Sequence, residues 1–181
     1  MNAFTARAEI LTQVGTAFWR GAELQLVGLT LAEGTDGALV NYGKASLRSV
    51  VIIDHMTRTA PAIISNDGEL SLTHCELSHN TISNAAQNAG TIINYGFLEV
   101  RDTHMHGNTV SRRFQSLVLA FALLNYGKAE LSIVGLSDNE AVAGFPALTY
   151  SGAAQAFINE GTGTMTIKDV IAANNFPQES Y

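Results

Sequence analysis

The stretch FALLNYGKAELSIVGLSDN, residues 121–139, decides how this chain folds. Its apolar segments, residues 122–124, 129–131 and 134–136, are broken at Asn125-Tyr126-Gly127 and again at Val134-Gly135, and each is too short for a helix. The same string recurs as GALVNYGKASLRSVVIIDH at residues 37–55, and more loosely in PAIISNDGELSLTHCELSHN, AGTIINYGFLEVRDTHMHGN and QAFINEGTGTMTIKDVIAANN. A unit that returns at this spacing cannot bury its apolar face alone and must stack on its neighbours, which specifies a solenoid.

Aligned on a first strand of the form Ala, bulky, bulky, Asn, the units begin at Ala17, Ala38, Ala62, Thr91, Ala122 and Ala156. A glycine-containing turn leads to a second strand with alternate apolar residues: Leu24/Leu26, Ala45/Leu47, Leu70/Leu72, Leu98/Val100, Ala129/Leu131 and Met165/Ile167. A third carries Leu29/Leu31, Val50/Ile52, Cys75/Leu77, Thr103/Met105, Val134/Leu136 and Val170/Ala172. Period two with polar partners marks one face turned in and one turned out. The expected fold is all-β, a right-handed single-stranded parallel β-helix of about six rungs and three parallel sheets over residues 17–175. Residues 1–16 form a short N-terminal cap, either a helix with Phe4, Ala8 and Leu11 on its apolar side or a degenerate half-rung, and residues 176–181 a C-terminal tail. Two asparagine columns belong to this arrangement: Asn41, Asn94, Asn125 and Asn159, interrupted by Ser65, and Asn80, Asn108, Asn139 and Asn175. An inward amide at a corner donates to one rung and accepts from the next, so a ladder of identical residues satisfies each in turn.

Composition sets limits on function. With 46% apolar and only 14% charged residues, the 181-residue chain has a sizeable core and is not disordered. A net charge of −6 and a single adjacent basic pair, Arg112-Arg113, argue against nucleic acid. The one cysteine, Cys75, forms no internal disulfide and falls at an inward position, where it serves as a small hydrophobe. No segment approaches the length of a membrane span, and the N-terminal stretch has no signal-peptide pattern. An extracellular or cell-surface location is therefore expected only if a signal has been removed or the chain is a fragment of a larger exported protein.

The units resemble the repeats of polymorphic outer membrane proteins and related bacterial surface β-helices of pectin-lyase-like architecture, which carry a GGA-(Ile/Leu/Val) motif and a Phe-x-x-Asn motif. Gly37-Ala38-Leu39 stands in the first, and Leu77-Ser78-His79-Asn80, Met105-His106-Gly107-Asn108 and Leu136-Ser137-Asp138-Asn139 in the second, with Leu or Met at the Phe position. The resemblance implies an adhesin-like surface module, without catalysis or cofactor, that recognises a glycan or protein partner.

Two features suggest where a partner binds. Connections between the third strand and the next unit lengthen along the chain, and a solenoid that inserts at one corner builds a feature on that side. These connections hold Arg112, Arg113, Phe114, Phe145 and Tyr150, the arginines suited to an anionic glycan. The first strand is apolar on both faces, so Trp19, Val40, Ile64, Ile93, Leu124 and Ile158 form an outward stripe. Such a stripe must be covered by the long connections or a second copy of the chain, or else it forms an apolar binding groove. The open edge of the last rung offers a second route to a homo-oligomer. A polysaccharide lyase or hydrolase with its site in the long corner connections is the alternative, though the stripe supplies no carboxylates. On the third strands, Glu76 and His104 fall side by side with His106 two residues on, a weak constellation for zinc and more ordinarily a surface pair.

Overall fold

A computed structural model describes residues 3–7, 10–12, 16–18, 21–58, 60–85, 88–112, 119–143 and 155–179, with side chains at 21–58, 60–83, 88–111, 120–140 and 156–175. The described chain is all-β, its strands pair in parallel and they fall into three sheets. A six-stranded sheet collects the first strands: Thr16–Phe18, Leu39–Asn41, Ala62–Asn66, Ala89–Asn94, Leu119–Asn125 and Gln155–Asn159. Each strand pairs with its counterpart one repeat away, which places identical side-chain positions directly above one another. Leu26, Leu47, Leu72, Val100, Leu131 and Ile167 share one column, and Leu31, Ile52, Leu77, Met105, Leu136 and Ala172 another. All of the first column except Ile167 is buried, and these two columns pack with Leu39, Ile64, Ile92 and Leu123 of the first sheet in one apolar core.

The second and third strands of each repeat belong to one eleven-stranded sheet. In the later repeats they run through unbroken as Phe97–His106, Lys128–Ser137 and Thr164–Ala173. The corner between them is a single left-handed residue, Asp102 (φ 50°), Ile133 (φ 54°) or Asp169 (φ 55°), with Ser49 and His74 at the same place earlier. One such residue reverses the phase of the pleat without breaking the ladder. A five-stranded sheet is built from segments that the sequence pattern assigned to connections: Met56–Thr57, Thr81–Ala85, Thr109–Arg112, Glu140–Ala143 and Phe176–Glu179. Ile82 and Val110 are buried there, and that burial fixes the short, β-branched strands. Arg112 is accordingly the end of a strand, paired with Ala143.

Of the two forms expected for the N-terminal segment, helix or degenerate half-rung, the described residues take up strands. Ala3–Arg7 pairs with Glu23–Val27 and Ile10–Thr12 with Thr30–Ala32, so Phe4, Ala6 and Leu11 sit in register with Leu24, Leu26 and Leu31 and continue the same sheet. The residues after Asn175 likewise do not end as a bare tail, because Phe176–Glu179 adds a strand to the third sheet.

Both asparagine ladders form, and the first is more complete than its alignment suggested. Asn66, not Ser65, stands between Asn41 and Asn94. Nδ2 of Asn41, Asn66, Asn94 and Asn125 donates to Oδ1 of the next member at 2.7 Å each, ending on Asn159. Each amide also donates to the carbonyl of the glycine two residues on, for example Asn94 to Gly96 at 3.1 Å. The one-residue shift moves Ile64 from the outward stripe into the core, level with Leu39 and Ile92. In the second ladder, Nδ2 of Asn80, Asn108 and Asn139 donates to the next Oδ1 at 3.0, 2.9 and 2.9 Å.

His55 heads that second ladder in place of an asparagine. Its backbone N–H donates to Asn80 Oδ1 and its Nδ1 accepts from Gly34 N–H, both at 3.1 Å, which leaves Nε2 to carry the proton. The side chain is buried, and Nε2 has no hydrogen-bond partner. Burial holds its pKa below the ordinary 6.5, partly offset by the Leu31 and Gly37 carbonyls and by Asp54. The unfolded chain therefore takes up this proton first, and stability falls as the pH drops below 6.5, levelling only when folded His55 is itself protonated. Urea midpoints measured between pH 7.5 and 5 should decline in the wild type and decline less in His55→Asn, which should also be the more stable because its amide completes the ladder. Equal slopes would remove His55 from this role.

Candidate binding groove

The left-handed corner residues set up a concavity on the outer side of the eleven-stranded sheet. After each of them the pleat resumes with its phase reset, so Val51, Glu76, His104, Gly135 and Ile171 stand outward in one column. Together with the corner column they line a groove of about 700 Å³ that crosses the repeats.

Its polar side is held by hydrogen bonds. His74 Nε2 lies 2.9 Å from Asp102 Oδ2 across one repeat step. Glu76 is opposite His104 in register, as its sequence position requires, and its Oε1 accepts from Ser78 Oγ at 2.8 Å and meets His106 Nε2 at 3.2 Å. The Ser78 hydroxyl does most to lower the Glu76 carboxyl pKa, burial opposes it, and His106 and His104 add further lowering. The three imidazoles meet edge to face, His104 on His106 at 6.4 Å and His79 on His106 at 5.3 Å between centroids. Gly135 is the floor beneath His104, since a Cβ there would overlap the ring. The apolar side is Ile133 and Ile171, 50% and 76% exposed. An isoleucine on the surface at 76% is not serving the core.

The weak metal constellation is brought together but not as a cage. A single oxygen of Glu76 already serves Ser78 and His106, and the imidazoles turn edges to faces rather than nitrogens to a common point. Among the described residues no group of three or more His, Cys, Asp or Glu is arranged to hold a metal ion. No family model, curated protein or solved structure matches the chain. The site therefore has to be argued from its own chemistry.

The other expected site residues separate. Ile93 and Leu124 do face out of the first sheet, yet they are buried in a second small cluster with Ala62 and Ala120, against which Tyr126 and Ile158 pack. The chain covers this part of the stripe itself, while Val40 and Ile158 remain half-buried. Trp19, Arg113, Phe114, Phe145 and Tyr150 lie outside the described residues, as does the Arg112 side chain. Cys75 is buried as expected, its Sγ donating to the Leu47 carbonyl at 3.3 Å, and burial pushes its thiol pKa up. No helix among the described residues is long and apolar enough to cross a membrane.

Sequence reasoning missed Ile133, Ile171, His74, Asp102 and Asp169 as site residues. The available signal was the residue between second and third strands: Asp, His and Ser recur there, and small polar side chains tolerate the left-handed conformation. Ile133 does not belong to that set, and its place at an exposed corner is the cue to function.

Proposed function

We propose that the chain is a right-handed parallel β-helix acting as a non-catalytic binding module, an adhesin-like surface domain that recognises a glycan or protein partner. Support for the coil comes from the order in which the chain visits the three sheets in every repeat, and from two amide ladders that bind successive repeats together. A single observation carries the binding reading: Ile133 and Ile171 stay exposed beside His74–Asp102 and Glu76–Ser78–His106, whose side chains are already fixed by one another. Fixed polar groups lose little conformational entropy on binding, and exposed apolar surface supplies the driving force.

The test is binding to a glycan array and to intact cell surfaces, with product release assayed on the same glycans. Wild type should bind without releasing product, and Ile133→Asp/Ile171→Asp should weaken binding by about tenfold or more, equivalent to roughly 1.4 kcal/mol. Release of reducing ends or unsaturated sugars that disappears in Glu76→Gln/His104→Ala would overturn the non-catalytic reading in favour of a carbohydrate-active enzyme.

A further inference from the structure

The corner that carries the first asparagine ladder has a second surface, remote in each repeat from the third-strand groove. Gly43, Gly68, Gly96 and Gly127 stack there so closely that a Cβ on any of the last three would overlap the carbonyl oxygen of the glycine before it. The result is a strip of bare backbone. The Gly43, Gly68 and Gly96 carbonyls already accept from the backbone N–H of Glu69, Phe97 and Lys128 at 2.8 to 2.9 Å, and each also accepts from a ladder amide. The Gly43, Gly96 and Gly127 N–H groups are engaged as well, by Asn41 Oδ1 and by the Asn66 and Asn94 carbonyls, so this floor is poorly suited to cradle an anion.

Recognition must come from the walls. On one side the residues just before each glycine are Tyr42, Asp67, Tyr95 and Tyr126, and on the other the residues just after are Lys44, Glu69, Phe97 and Lys128. Tyr42, Asp67, Lys44, Glu69 and Phe97 of these line a trough of about 520 Å³ over Gly43 and Gly68, and Tyr95 stands beyond its end. Tyr95 stacks on Tyr126 with ring centroids 5.0 Å apart and planes within 6°, so the other face of Tyr95 is turned toward Asp67, where the column has no ring. Tyr42 and Tyr95 are 40% and 51% exposed, and they stand two repeats apart, about 10 Å at the usual strand spacing. That gap admits one saturated six-membered ring between two aromatic side chains, with the Asp67 carboxylate at its base. Lys44 lies 3.5 Å from Glu69 and Lys128 sits over the Phe97 ring at 5.2 Å, so the cations are already engaged and the carboxylates act as local hydrogen-bond acceptors.

We infer that this glycine-floored trough is a subsite for a neutral glycan chain. The C–H face of a pyranose packs on an aromatic side chain, and its hydroxyls donate to Asp67 and Glu69. The inference rests on the binding-module reading and narrows its ligand to an uncharged glycan. Neutral hexasaccharides of glucose, xylose, mannose and N-acetylglucosamine, titrated into the full chain by calorimetry and by NMR of ring-labelled tyrosine, provide the test. At least one should bind and shift the Tyr42 and Tyr95 resonances. Tyr42→Ala and Asp67→Asn should each weaken it about tenfold. Both side chains are exposed, and an unchanged unfolding midpoint will confirm that the variants fold. Binding of none of the four, binding equal in the variants, or binding of hexalysine in their place would overturn the inference. The groove reading fails separately, if the Ile133→Asp/Ile171→Asp variant, combined with Tyr42→Ala to silence the trough, binds cell surfaces and arrayed glycans as Tyr42→Ala alone does.

Discussion

Asn94→Ala should cost about 3 to 5 kcal/mol, a large part of the roughly 5 to 15 kcal/mol that holds a domain folded. The loss is not one hydrogen bond. Asn94 lies at the centre of the first ladder, where it accepts from Asn66 Nδ2 at 2.7 Å and donates to Asn125 Oδ1 at 2.7 Å and to the Gly96 and Lys128 carbonyls at 3.1 Å each. Asn66, Asn94 and Asn125 are all fully buried, so water cannot replace what is removed. Truncation leaves an amide oxygen on Asn125 and a carbonyl on Lys128 short of a donor, and each orphan costs about 1 to 3 kcal/mol when buried. The same change at Asn159, which terminates the ladder at an exposed position, should cost under about 1 kcal/mol because Asn125 Nδ2 keeps the Gly127 and Thr164 carbonyls as acceptors and the bond from Asn159 to Gly163 lies in solvent. Urea unfolding of the two variants measures the difference. A cost at Asn94 no larger than that at Asn159 would mean that the ladder marks the corner without supporting it.

How far the sequence discloses this architecture depends on which physical rule each residue obeys. The columns through Leu72 and Leu77 follow from alternation alone, since a strand with one buried face allows only one register. The first ladder needed a further rule. Ala62-Ile63-Ile64-Ser65 resembles Ala38-Leu39-Val40-Asn41, and anchoring on alanine puts Ser65 in the ladder and Ile64 outside. A ladder amide must also cap the carbonyl of a glycine two residues on, which Asn66-Asp67-Gly68 does and Ser65 cannot. Reading Asn-x-Gly as the unit recovers Asn66 and turns Ile64 inward. The third sheet was hidden because its strands are short and threaded with Thr and Ser, so their only apolar signal is a residue such as Ile82 or Val110.

At the candidate groove the pattern is similar. Adjacency of Glu76 and His104 follows from register, and the structure keeps it. The outward position of Ile171 follows from alternation with Val170 and Ala172, but that of Ile133 does not, because the left-handed residue resets the phase between the two strand segments. Val134 is buried and Ile133 beside it is not, although both are β-branched residues in one unbroken strand. Only backbone geometry at the corner separates them, and it places an apolar side chain on the wall of the groove.

Gly96→Ala should destabilise the protein by about 3 kcal/mol or more, a cost of the kind that overpacking exacts when nothing can move. An added methyl would overlap the Gly68 carbonyl oxygen and lie within 2.8 to 2.9 Å of the Asp67 carbonyl carbon and the Gly68 nitrogen. All three are backbone atoms, and the Gly68 carbonyl is itself fixed by Phe97 N–H at 2.8 Å. No rotamer change relieves the contact, so the two repeats must separate where the Asn66 and Asn94 amides join them. Two other glycines isolate the cause. Gly161 is left-handed (φ 62°) with nothing near its missing Cβ, so Gly161→Ala should cost only about 1 to 2 kcal/mol of backbone strain. At Gly135 the obstacle is the His104 imidazole, a side chain that can rotate away, and Gly135→Ala should leave stability within about 1 kcal/mol while altering the groove. The order Gly96, Gly161, Gly135 in decreasing cost, read from denaturant midpoints, tests whether backbone contact between repeats sets this corner. If Gly96→Ala proves no more costly than Gly161→Ala, the glycine strip owes its composition to turn conformation, and its close stacking is not what the fold requires.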